Sequence, residues 1–524
     1  MLTHYWFWQA RAMRLVLLVC CSIACAGADG VTALGGEWRW RAGSAAQMNR
    51  PAGDEELRLA EPGFDDSQWS AVRRADSGWY RRTFDVPASE REKHLRLRFL
   101  SAIGVTTVWL NGQLLGSYSG EGGGFEVDLT PYARVGGKNV LAVRSGGIRG
   151  DVVMVTTPRV YIARQRVIAK ADGSAAVTVW VRNTLDNTTN VNAAVEVLDG
   201  DRVVARAQVD GTVPALITQQ LETVVRVPHP ELWWVNRPYL YRVRTVLTKN
   251  AEAVEEGYQT TAVTTVGIRS VEIRGLTLLL NGQAIRVAGL NVSDPDELTE
   301  AELKRMKESG MVLVVPGPRQ MPESVLEWAD ANGMLLLEHA GNVDALRRLM
   351  ERDFNHPSVI AWVVDSADLA AYAKAHDATR LVASASVAEA DLRIGSSADA
   401  ERRPGKPVLV TGVRRIEELD VLGERHDVAA VTLKAEAAKS GNLQDRLAPV
   451  VIRQIFQRNG NTVLELEGRG TFPRLPADEY EVRVGHQSQR VRLGPGERRT
   501  LEFELVNPYR VEVYTASGFL VLNR

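Results

Sequence analysis

Five carboxylates in the second half of the chain follow short apolar runs: Glu338, Asp365, Asp368, Glu417 and Glu418. Carboxyl groups carried on the ends of strands do acid–base and nucleophilic chemistry when two of them face one reacting atom, one donating a proton and the other attacking. The stretch DFNHPSVIAWVVDSADLA, residues 353–370, holds two of the five after the apolar run Val359–Val364, together with Asn355, His356 and Trp362. Other chemistries are poorly supplied. His339 has no second ligand at metal-binding spacing, so no metal site is expected. No Gly-rich phosphate loop and no Ser-His-Asp arrangement stands out, and no cofactor is expected.

The elements that would position these residues differ along the chain. From Trp38 to about Ile162, short alternating runs such as WYRRTFDVP, LRLRFLSA and TTVWLNGQLLG are broken by Gly, Pro and Asp, which predicts a jelly-roll β-sandwich. A second β block to Ile273, with AAVTVWVRN and YLYRVRTVLT, suits an immunoglobulin-like sandwich. Strand-like runs then alternate with helix-period segments: 285–290, 312–315, 334–339, 359–364, 380–386, 392–397, 407–412 and 428–435. Eight such runs predict a (β/α)8 barrel. The gaps before the sixth and seventh runs are too short for a helical crossover, so a reduced barrel lacking one or two outer helices is expected. Thr299 and Glu302 form a capping box for one helix, and Gly310 and Gly333 mark helix ends. Alternation returns near Asn459 and predicts a small terminal β-sandwich. The expected boundaries are 1–28 for a leader, 29–163, 164–273, 274–455 and 456–524.

With 63 Lys plus Arg against 64 Asp plus Glu, the chain has no electrostatic reason to seek nucleic acid. Residues 1–28 hold Arg11, Arg14, an apolar run from Leu15 to Ala24 and small residues to Ala28, the pattern of a secretory signal. That run is too short to span a bilayer, and no other stretch is apolar enough to do so. A secreted or periplasmic location is expected, with a lipid anchor through Cys25 as the second reading. All three cysteines (Cys20, Cys21 and Cys25) lie in this leader, so a mature chain would contain no thiol.

Jelly roll, immunoglobulin-like sandwich and barrel, in that order, resemble glycoside hydrolase family 2, the β-galactosidase, β-glucuronidase and β-mannosidase group. WYRRTFDVP, VWLNGQLLG, GFEVDLTPYA and GGIRGDVVMVTTPRVYI look like its sugar-binding module. PELWWVNRPYLY and VGIRSVEIRGLTLLLNGQAIRVAGLN look like its second domain and the entry to its barrel, and RDFNHPSVIAW is similar to its most specific barrel motif. The resemblance implies a retaining glycosidase, which needs an acid and a nucleophile carboxyl about 5 Å apart. Its acid, preceded by Asn, follows the tryptophan by five residues; those positions here are Ser366 and Ala367. Its nucleophile position at the end of the seventh strand falls on Gly412, and its Arg and His after the second strand fall on Val315 and on Pro316 to Pro318. The resemblance thus implies a scaffold whose catalytic residues are lost.

The expected function is a secreted family 2-like protein that binds carbohydrate, or acts as a scaffold, without hydrolysing it. Glu338, Asn355, His356 and Trp362 are the candidate binding residues of the barrel, and Tyr118 and Phe125 in the loop 118–126 those of the jelly roll. A structural hydrogen-bonding role suits Glu338 at least as well, and Asn355 and His356 more often buttress such a barrel than touch sugar. One alternative is an active retaining β-glycosidase with Asp365 or Asp368 as acid and Glu417 or Glu418 as nucleophile; a purely structural envelope protein is the other. Asp365 and Asp368 also suit a solvated strand end, and Glu417 and Glu418 a helix start.

Overall fold

The computed structural model describes residues 30–524 except 35, 74, 122–123, 250–258, 397–404, 442, 471 and 506–509. The leader-like segment with its three cysteines, residues 122–123 of the jelly-roll loop and residue 397 of the sixth run lie outside the described residues.

Alternation builds the first two domains. In the first, a six-stranded antiparallel sheet that includes Gly78–Val86, Gly137–Ser145, Ile103–Leu110 and Gln113–Glu121 accompanies a four-stranded one that includes Val152–Thr157, His94–Phe99 and Phe125–Asp128. Leu95, Leu97, Phe99, Val108, Leu141 and Val143 fill the space between them. The second is a sandwich of three and four antiparallel strands around a valine core, with Val177, Val179 and Val181 from one sheet and Val191, Val195 and Val197 from the other. Strand Val160–Ala169 pairs wholly inside this second sandwich, so the expected boundary at 163/164 cuts a strand and moves to about 159.

Eight parallel strands close a barrel, with the first bonded to the last: β1 (Val287–Val292), β2 (Met311–Pro316), β3 (Leu335–Ala340), β4 (Val359–Val364), β5 (Leu381–Ser384), β6 (Leu392–Gly395), β7 (Val408–Val413) and β8 (Val428–Leu433). Helices α1 (Glu300–Glu308), α2 (Glu323–Asn332), α3 (Val343–Asp353), α4 (Ala367–His376) and α5 (Glu418–Glu424) lie outside. Leu313, Leu335, Leu337, Ala361, Ala383 and Leu409 face inward, while Val314, Leu336, Trp362, Val382 and Val410 pack beneath helix residues such as Leu326 and Leu346. The Thr299 capping box starts α1, and Gly333 in the left-handed region ends α2. The short meander Val271–Arg274, Thr277–Leu280, Gln283–Ala284 belongs to the barrel, because Leu278, Leu280 and Ile285 close its floor.

The barrel is reduced as expected at its fifth crossover, where residues 385–391 return without a helix. So short a return is possible because β5 and β6 share only the pairs Ala383–Leu392 and Ser384–Arg393. Strand Val450–Arg458 belongs to the terminal sandwich, so the expected boundary at 455/456 moves to about 449. No helix among the described residues is long and apolar enough to cross a membrane.

Three domains meet at one buried amine. Lys307 Nζ on α1 donates to the carbonyls of Val235, from the loop between strands Thr218–Arg226 and Tyr241–Lys249 of the second sandwich, and Gly333, both at 2.7 Å, and lies 5.2 Å from the Phe519 ring of the terminal sandwich. Burial lowers its pKa to about 7, opposed by the charge of the half-buried Asp478. An unfolded lysine holds its proton to about 10.5, so between pH 7 and about 10 the unfolded chain binds more protons and stability rises with pH. Urea unfolding of the wild type between pH 7 and 10 should show that rise, and Lys307→Met should flatten it; equal slopes in the two proteins would remove Lys307 from the account.

Candidate functional site

Side chains alternate along a strand, so each barrel strand sends every second residue to the interior and the last inward residue to the mouth. On β3, Leu335 and Leu337 are inward, which turns Glu338 outward and brings His339 to the rim. On β4, Ala361 is inward, and the same parity brings Asp365 to the rim. The two rim residues meet: His339 Nε2 is 2.9 Å from Asp365 Oδ2, with the imidazole 18% and the carboxylate 64% exposed. Since an ionised carboxylate only accepts, the imidazole donates. The sequence reading left His339 without a partner; the alternation that leads to it was readable.

The positions that the resemblance pairs with the acid and the nucleophile are Ala367, preceded by Ser366, and Gly412. Ser366 caps α4, its hydroxyl accepting from the Leu369 N–H, and Ala367 is the exposed first residue of that helix. Asp368 is exposed in the same first turn. Gly412, next to last in β7, has φ +74°, in the left-handed region that a side chain rarely adopts, and its N–H donates to Thr432 Oγ1 at 3.2 Å. A methyl group built there would touch one atom, Lys434 Cε at 3.5 Å. Glu417 immediately precedes α5 and Glu418 begins it, with Glu418 Oε1 accepting from the Arg415 N–H at 3.1 Å.

Three barrel candidates and Asn355 lie away from the mouth. Glu338 is completely buried between the barrel wall and the helices, 3.3 Å from Arg352 Nη2, and accepts from the Met321 N–H. Burial, reinforced by the neighbouring Asp353 charge, pushes its pKa up to about 8 despite Arg352. Trp362 is equally buried and donates through Nε1 to Asp377 Oδ2 at 3.0 Å. His356 Nδ1 is 2.6 Å from Asp330 Oδ2, whose other oxygen accepts from the Ser358 N–H. Burial alone would lower the His356 pKa, but the Asp330 charge and hydrogen bond raise it overall. Asn355 spends both ends of its amide on the second sandwich, accepting from Val167 N–H at 2.9 Å and donating to the Gln165 carbonyl at 3.1 Å. The pairing of Glu338, Asn355 and His356 suits the structural hydrogen bonding that the sequence also allows, and Trp362 is enclosed beside them.

Two arginines hold the same turn. Arg380 donates to the carbonyls of Asp353, Phe354, His356 and Val359 and to Asp377, and Arg269 donates to those of Pro357, Val359 and Thr379. Asp377 is held down at about 2: burial would raise it, but Arg380 and the Thr379 and Trp362 hydrogen bonds outweigh that.

In the jelly roll, Tyr118 lies on Gln113–Glu121 and Phe125 on Phe125–Asp128, on strands of the two different sheets. Phe125 is parallel to Phe99 at 4.6 Å and to Tyr118 at 4.5 Å. Two rings that close and parallel would overlap on one face, so they cover both faces of Phe125 and leave it none for a sugar. Tyr118, half-buried, is the outer ring of the stack. Among the described residues no group of three His, Cys, Asp or Glu is placed to hold a metal ion.

This arrangement has relatives. Family models described as "Glycosyl hydrolases family 2, sugar binding domain", "Glycosyl hydrolases family 2" and "Glycosyl hydrolases family 2, TIM barrel domain" match residues 64–149, 160–269 and 323–402, together more than half of the chain. A β-glucuronidase of Formosa agariphila is 23% identical over 366 residues, 57% of this chain and 36% of that protein. A β-galactosidase of Bacteroides ovatus is 26% identical over 388 residues, 59% of this chain and 44% of that one. The match therefore spans less than half the length of these curated relatives. Among solved structures, a glycosyl hydrolase family 2 member from Bacteroides cellulosilyticus superposes with a TM-score of 0.66 at 17% identity, covering 94% of this chain and 84% of that one. A β-glucuronidase of Bacteroides uniformis gives 0.66 at 16% identity, covering 94% and 79%. With three consecutive domains matched in the family's order, the chain belongs to glycosyl hydrolase family 2.

Proposed function

We propose that this chain binds carbohydrate at its barrel mouth without cleaving it, and that its leader segment exports it. The observation that carries this reading is Gly412: the position matched to the nucleophile lacks a side chain and has a backbone conformation that disfavours one. Retaining hydrolysis needs two facing carboxyls, and the acid position is the methyl group of Ala367. What remains at the mouth, His339 and Asp365, is a hydrogen-bonding pair suited to sugar hydroxyls. The competing hydrolase, with Asp365 as acid and Glu418 as nucleophile, is disfavoured because Glu418 is tied to the start of its own helix.

Purified protein incubated with aryl β-glucuronides, β-galactosides and β-mannosides should release no phenol above the uncatalysed rate. Turnover removed by Asp365→Asn or Glu418→Gln would overturn the proposal in favour of the displaced-carboxylate enzyme. Retention on immobilised polysaccharide separates sugar binding from a purely structural role.

Restoring the side chains should be unequal in effect. Ala367→Glu places an acid in the first turn of α4, where the helix dipole favours it, and should change stability by less than about 0.5 kcal/mol. Gly412→Glu forces a side chain into left-handed backbone and should lose about 1–2 kcal/mol in chemical denaturation. The double variant should stay without turnover; recovery of hydrolysis would show that the scaffold still fits the reaction.

A further inference from the structure

We propose that the cleft between the barrel floor and the terminal sandwich is a second ligand site, and that it takes a small monoanion with an apolar body, an aromatic or aliphatic carboxylate. The site does not depend on the reading of the mouth. Arg286 just precedes β1 and Val428 begins β8, so the cleft opens at the N-terminal ends of strands whose C-terminal ends form the mouth. The first observation is space. A cleft of about 250 Å³ lies between Leu276, Leu278 and Ile285 of the floor meander, Val428, the end of α5, and Gly470 and Arg474 from the loop between strands Asn461–Gly468 and Asp478–Val484 of the terminal sandwich. An apolar cavity of roughly 150 Å³ suffices for a benzene ring. Ligand sites favour such joints between domains, with apolar walls and a few polar groups.

The second observation is a charge without an answer. Arg286 and Arg474 face each other across an antiparallel bridge, each N–H donating to the other's carbonyl at 2.9 Å. Residues opposed in this way project their side chains to one face, where like charges destabilise. Arg286 turns its guanidinium onto the carbonyls of Leu422, Gly423, Arg425 and Val428. Burial, and after it the Arg474 charge, lowers its pKa. Arg474 is exposed and makes no ion pair or side-chain hydrogen bond among the described residues.

The third observation is the balance of charge. The lining holds the guanidiniums of Arg286 and Arg474 against the single carboxylate of Glu424, while Arg425 and Asp427 nearby cancel as an ion pair at 2.7 Å. Two positive charges less one negative leave one positive, which repels a cation and is neutralised by a monoanion. The planar fork of Arg474 matches a carboxylate bidentately, a charge-assisted contact roughly twice as strong as a neutral hydrogen bond. His426 on the rim is a further hydrogen-bonding group, and the apolar wall receives the rest of the molecule.

The test is calorimetric titration of the full chain with benzoate, with benzamide, which keeps the ring without the charge, and with acetate, which keeps the charge without the ring. Benzoate should saturate one site, and benzamide and acetate should each bind at least about tenfold more weakly. Arg474→Met should weaken benzoate binding about tenfold, as expected for loss of a charge-assisted hydrogen bond. Its denaturation midpoint without ligand should equal or exceed that of the wild type, because one of two like charges is gone. Arg348→Met, which removes an exposed arginine on α3, should bind benzoate as the wild type does. No saturable benzoate binding, benzamide or acetate bound as tightly as benzoate, or benzoate binding unaltered by Arg474→Met would each overturn the site. A midpoint lowered by Arg474→Met would overturn it too, by making that guanidinium a structural group.

Discussion

A buried guanidinium is tolerated only when its donors find acceptors, and two such groups fix the middle of this molecule. Arg269, at the end of the second sandwich, and Arg380, just before β5, converge on the turn between α3 and β4 and take up its carbonyls. That turn is DFNHPS. Its Asn355 extends outward to hydrogen-bond the strand Val160–Ala169, and Gly267 approaches Pro357 so closely that an added methyl group would lie 2.8 Å from its ring. The joint between sandwich and barrel, the entry of β4 and the direction in which β4 delivers Asp365 all follow from this one packing problem.

The same constraint explains why the most family-like text of the chain lies in this turn. His356 with Asp330 and Arg380 with Asp377 are buried pairs, and half-buried Arg352 covers the buried Asp353 and Glu338, so losing one partner strands a charge away from water. Replacement at such positions is severely destabilising. The rim residues Ser366, Ala367 and Asp368 are exposed and answer only to the rules of a helix start. The turn and the rim are therefore held by different physics.

Much of this was legible in the sequence because a parallel strand buried on both faces reads as an apolar run, and all eight runs became strands at nearly the expected places. Helix ends were legible through Thr299, Glu302 and Gly333, whose effects are local. The domain boundaries at 163/164 and 455/456 fall inside strands, because a strand looks the same whichever sheet it joins. Glu338 was placed at the cleft although the parity of Leu335 and Leu337 already turned it outward. Phe125 was offered as a sugar platform because the rings of Phe99 and Tyr118, on separate strands, close over it only in the folded sandwich. The approach of Lys434 to Gly412 depends on the register between β7 and β8, which no local pattern carries.

The central claim is that the signature turn is kept by buried charge pairing and not by contact with sugar. Chemical denaturation of Asp377→Ala beside Asp365→Ala, with polysaccharide retention measured on both, tests it most directly. The account predicts a loss of about 3–5 kcal/mol for Asp377→Ala, which strands Arg380, with a change under about 0.5 kcal/mol and weakened retention for Asp365→Ala. An Asp377→Ala protein of undiminished stability that no longer binds polysaccharide would contradict it.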